Sequence, residues 1–208
     1  RFQNLKKIQN AFLNCFFSTN KTEEVFEKLI SDQRTDFSRY NYFYATYLSN
    51  IGKIEKAKKV VNSSLKLYPR NLLLNQYKLD LNNGKHTNNF NCQNLSSIIA
   101  EIFYITANAL SSQNIYTFSN FYLNLSKYLN NDFYPFDTLL AENFYKTDDF
   151  VQAKKIYKEM SKQGEAFFWY SAKQNAKILI KQDKKENALK LIDNTYKKLS
   201  EKNIYQTF

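Results

Sequence analysis

Apolar and small residues along this chain fall at helical spacing, and one helix-sized pattern returns several times. The stretch GKIEKAKKVVNSSLKLYPRN, residues 52–71, shows one cycle: Gly52 turns the chain, Ala57 follows five residues later, and Pro69 closes the segment. Proline fixes φ and lacks an N–H, so the helix ends before it. Aligned on the small residue of this helix, equivalent marks fall at Val25, Ala57, Ser119, Ala153 and Ala188, and the last two steps are 34 and 35 residues. A preceding helix carries its own small residue at Ala45, Ala107, Ala141 and Ala176, with a large apolar one three residues on at Leu48, Leu110, Phe144 and Leu179. Between the two helices stand Gly52, Asn114, Asp148 and Asp183, residue types that accept φ > 0 or end a helix. In the first cycle the small positions are taken by Leu13 and Val25.

One step breaks the rhythm. From Ala57 to Ser119 is 62 residues, short of two periods of about 34. The segment LLLNQYKLDLNNGKHTNNFNCQN in that gap predicts one helix to about Leu81 and then a polar loop without a second helix.

Composition strengthens the helical reading. The 208 residues hold only three glycines and two prolines, too few for a fold with many tight turns, while 43% hydrophobic and 17% aromatic residues suffice for a core. The expected class is all-α. No apolar run approaches the roughly 18 residues that a membrane span needs. The chain begins with Arg1, and a fragment of a longer protein is expected. The net charge of +11 is compatible with nucleic acid, an acidic protein or anionic lipid as partner, without choosing among them. Cys15 and Cys92 alone fix no framework, and two free thiols are expected.

The repeated pair, with its small residues, its turn and its period, resembles the tetratricopeptide repeat family over nearly the whole chain. The resemblance implies an α-solenoid of antiparallel helix pairs in a right-handed superhelix, with repeats at about 5–36, 38–71, 72–99 (defective), 100–133, 134–167 and 168–202. The order of segments also looks like long exported tetratricopeptide proteins of alphaproteobacteria, which implies a bacterial and periplasmic setting. First helices form the concave wall in this family. The resemblance therefore places Arg39, Tyr42, Thr46, Tyr104, Asn108, Glu142, Lys146, Lys173, Lys177 and Lys181 on a partner-binding face. The last three lie four residues apart and make one basic stripe.

Chemistry of other kinds finds little purchase. His86 in GKHT is the only histidine, and the glycine that a phosphate-binding loop needs five residues before Gly84 is Leu79. One histidine and two distant cysteines assemble no zinc site, and no nucleophile elbow is present. Asp148–Asp149 and Glu23–Glu24 sit where carboxylates cap helix starts. Trp169 is expected to pack against the preceding repeat. The sequence thus predicts a non-enzymatic scaffold without metal or cofactor, whose groove takes a protein or peptide segment of acidic character. Nucleic-acid binding and end-to-end self-assembly are the alternatives.

Overall fold

A computed structural model of the protein describes residues 2–32, 37–85 and 89–201. His86 lies outside them. The described residues form eleven helices: α1 (Phe2–Phe16), α2 (Thr22–Ile30), α3 (Ser38–Asn50), α4 (Ile54–Leu67), α5 (Leu72–Asn82), α6 (Leu95–Ser111), α7 (Tyr116–Leu129), α8 (Pro135–Lys146), α9 (Phe150–Met160), α10 (Glu165–Lys181) and α11 (Lys185–Ser200). Packing is sequential. Helices pair as α1/α2, α3/α4, α8/α9 and α10/α11, and α2, α4, α7 and α9 each also rest on the helix that follows. Among the described residues no helix is long and apolar enough to cross a membrane.

The turn inside each pair has one geometry. Gly52 (φ 79°), Asn114 (62°), Asp148 (60°) and Asp183 (57°) all adopt the left-handed conformation expected of them, and so do Ser18 (50°) and Gly84 (66°). After each, the next backbone N–H reaches back to a carbonyl five residues earlier, as from Lys53 to Leu48 and Lys184 to Leu179, at 2.8–3.0 Å. This is the bond that closes a Schellman turn. Six such turns follow one another at steps of 34, 32, 30, 34 and 35 residues.

The turns correct the first cycle. Counting back seven residues from the turn gives Ala45, Ala107, Ala141 and Ala176, all buried, and the same count from Ser18 gives Ala11, also buried. Leu13, the sequence expectation, is exposed. In α2 the fully buried small residue is Thr22, whereas Val25 is half-buried. Serine is a poor signal for a left-handed turn, which is why the sequence misplaces this pair. The third cycle behaves as expected in one respect: no helix follows Gly84 before α6 among the described residues.

The chain divides into two compact units, Arg1–Glu101 and Ile102–Phe208. In the first, α3 is buried nearly all round, although its sequence SRYNYFYATYLSN has no apolar stripe. The loop after Gly84 helps to enclose it. Phe90 is fully buried, stacks on Phe43 at 4.0 Å and lies 5.7 Å from Phe12. Cys92 is disulfide-bonded to Cys15 of α1, 77 residues away, with a Cα separation of 5.8 Å. The expectation of two free thiols is therefore overturned, and Phe90 and Cys92 anchor the polar loop.

In the second unit, a buried amide joins three helices. Asn143 of α8 donates to Ser119 Oγ and Asn120 Oδ1 of α7, each at 2.8 Å, and accepts from Ser111 Oγ of α6 at 2.6 Å. Ser119 in turn donates to the Ala107 carbonyl at 2.8 Å. Every polar atom of that amide is used, so burial carries no desolvation penalty left unanswered. Asp149 caps α9 by accepting from the Gln152 N–H at 3.1 Å.

Candidate functional site

The first-helix positions behave differently in the two units. In the first, Arg39 points both arms of its guanidinium at Glu101, with two bonds of 2.7 Å to a carboxylate that is wholly buried. Burial pushes the Glu101 carboxyl above its usual range, and Arg39 pulls it back down. Tyr42 is buried, its ring 5.2 Å from that of Tyr77, and burial raises its hydroxyl pKa well above the ordinary value. Thr46 is buried and donates to the Phe43 carbonyl at 2.9 Å. These three side chains are committed to the unit's own interior. The sequence could place them on a first helix, but nothing local revealed that Glu101, 62 residues on, would reach Arg39.

In the second unit the corresponding positions reach the surface. Asn108, Glu142, Lys146, Lys173, Lys177 and Lys181 are exposed, and Tyr104 is half-buried with its ring 5.7 Å from Phe136. Across three successive first helices, Glu142 and Tyr104 both lie within electrostatic reach of Tyr170. The Tyr170 hydroxyl of α10 is pushed above its ordinary pKa first by burial and then by the nearby Glu142 of α8 and Tyr104 of α6. Tyr157 of α9 is buried and meets the Tyr170 ring edge-on at 6.2 Å, and burial first, then Tyr170 and Glu142, push its hydroxyl above the ordinary pKa. Tyr170 escaped the sequence reading because it lies three residues before the lysine stripe, among aromatics read as packing.

The basic stripe of α10 is not uniform. Lys173 lies over the Trp169 ring at 5.5 Å, a cation–π arrangement on an exposed helix face. Lys177 is exposed. Lys181 instead turns toward the α8–α9 turn, where it pairs with Asp148 and sits over the rings of Tyr145 at 5.2 Å and Phe150 at 5.4 Å. The Asp148 hydrogen bond holds its ammonium pKa above the ordinary value. Two cations therefore project beside the tyrosines, and the third locks a turn.

Chemically, this surface offers hydroxyl groups, one carboxylate, an amide at Asn108 and ammonium groups at Lys146, Lys173 and Lys177. Such a set can hydrogen-bond a peptide backbone and pair with acidic side chains. Among the described residues, no group of three His, Cys, Asp or Glu is placed to hold a metal ion. No protein-family model matches the chain, and no curated protein sequence matches it.

Proposed function

We propose that this protein is a non-enzymatic scaffold of the tetratricopeptide kind, an α-solenoid that holds an acidic peptide segment against the first helices of its second unit. The observation that carries the reading is the exposure of Asn108, Glu142, Lys146, Lys173 and Lys177 on three successive first helices, with Glu142 and Tyr104 within electrostatic reach of Tyr170. Tyrosines supply rigid contact area with little side-chain entropy to lose. Glu142 accepts backbone N–H groups of an extended segment, and the lysines take its carboxylates. The enclosed Arg39, Tyr42 and Thr46 have no part in this surface, and the reading is confined to the second unit. The Cys15–Cys92 bond supports an oxidising compartment, in keeping with the exported proteins that the layout resembles. Thiol labelling without reductant, applied to the protein in its cells, would find both cysteines unreactive if so.

The test is binding of a fluorescein-labelled, glutamate-rich peptide by anisotropy, to the wild type and to Lys173→Glu/Lys177→Glu. Exposed ion pairs are worth about 0.2–1 kcal/mol each, and charge reversal adds repulsion, so affinity should fall about tenfold or more. The loss should shrink as salt screens the charges. Equal affinity for both proteins at low salt would remove the groove from the account.

A further inference from the structure

One second helix differs from three others at two matched positions. Counted from the buried small residues Ala57, Ala153 and Ala188, the positions one before and two after are Lys56 and Lys59 in α4, Gln152 and Lys155 in α9, and Asn187 and Lys190 in α11. In α7 the same positions are Phe118 and Phe121, 62% and 56% exposed. Half-buried Leu125 and then Tyr128, 87% exposed, continue the line toward the helix end. The four residues are spaced three, four and three apart, so they form a single apolar stripe on one face. The only charged residue on α7 is Lys127, and its ammonium is held by Asp137 of α8. At these two positions α4, α9 and α11 carry lysine and amides, and α7 presents rings.

We propose that the outer face of α7 is a docking surface for an amphipathic helix of a partner protein, one with an apolar stripe and acidic flanks. Size decides against a second copy. At their exposures, the three aromatic side chains offer about 400 Å² of apolar area, taking roughly 200 Å² for each ring, whereas a stable pairing of two proteins buries about 800 Å² on each side. One helix laid along the stripe fits that smaller area, as in helix-in-groove recognition. Charge decides the flanks. The chain carries +11, so a second copy is repelled and an acidic helix is drawn in. This surface is separate from the first-helix surface of the proposed function, because it lies on a second helix and contains none of that surface's residues.

The probe is a designed fluorescent helix with leucines at the three–four spacing and glutamates elsewhere, alongside a twin with lysine in place of every glutamate. Anisotropy is read in saturating unlabelled glutamate-rich peptide, which occupies the first-helix surface, with the wild type, with Phe118→Gln/Phe121→Lys (the pair that α9 carries) and with Tyr128→Gln. Circular dichroism checks that each variant is folded. The acidic helix should bind the wild type at least about tenfold more tightly than its lysine twin, and lose about tenfold or more on the Phe118/Phe121 variant. Tyr128→Gln should weaken it less. Indifference to the Phe118/Phe121 change, or equal binding of the two probes, overturns the proposal. A wild-type dimer in sedimentation that the Phe118/Phe121 variant abolishes would give the face to a second copy instead.

Discussion

Reducing the Cys15–Cys92 bond should weaken the first unit and leave the second alone. The bond closes a loop across 77 residues, from α1 to the segment that replaces a missing helix. Cross-linking over such a span removes about 4.5 kcal/mol of unfolded-chain entropy in the loop-closure account, before any native strain is subtracted. Each kcal/mol is worth about 4–8 °C in a domain of around 100 residues, so the first unit's transition should fall by about 10 °C or more. Thermal unfolding followed by circular dichroism and by calorimetry, with and without a phosphine reductant, measures this. The two units unfold as separate events on this account, which makes the second an internal control. A Cys15→Ala/Cys92→Ala variant should melt near the reduced protein and ignore the reductant. Alkylation of the untreated protein should add no mass. Two alkyl groups on it, or an unmoved melting curve after verified reduction, would refute the reasoning.

Three further outcomes follow from the same contacts. A Cβ at Gly52 would meet nothing within 4 Å, so Gly52→Ala isolates the cost of a left-handed backbone and should destabilise by about 1–2 kcal/mol in urea titration. Arg39→Ala leaves the Glu101 carboxylate buried without its guanidinium and should cost about 3–5 kcal/mol, while Arg39→Ala with Glu101→Ala should recover much of it. Hydrogen bonds from Lys53 and Lys56 hold Glu23 below its ordinary value near 4.5, and those from Lys56 and Tyr44 do the same for Glu27. Their folded pKa values are depressed, so their contribution is complete above about pH 4.5 and is lost as pH falls through the folded values. Lys56→Met should flatten the acid limb of the stability profile; an unchanged limb would show that these carboxylates contribute nothing.

What the sequence reveals here is backbone punctuation, and what it hides is side-chain partnership. Glycine, asparagine and aspartate announce a left-handed turn because their side chains tolerate it, and Gly52, Asn114, Asp148 and Asp183 all adopt it. Ser18 makes the same turn without that chemical signature, so the first pair was read two residues late at Leu13 instead of Ala11. Gly84 carries the signature, but with no second helix behind it the cycle cannot be aligned. The missing helix was legible as a short interval. That a phenylalanine and a disulfide would enclose α3 in its place was not, because neither Phe90 nor Cys92 has a local pattern that names a partner. The same holds for the site. The resemblance to tetratricopeptide repeats implies one shared face for Arg39, Tyr42 and Lys173, yet only three-dimensional packing encloses the first two and leaves the third exposed over Trp169.

The most direct test of the proposed scaffold is where a bound acidic peptide leaves its mark. Amide chemical-shift mapping of the labelled protein with the glutamate-rich peptide should move Tyr104, Asn108, Glu142, Lys146, Tyr170, Lys173 and Lys177 together. Residues around Arg39 and Tyr42, closed in the first unit, should stay still. Shifts scattered over the lysines of α4, α9 and α11 with none at Glu142 and Tyr170 would contradict it, and would make the basic surface a general counter-charge with no groove of its own.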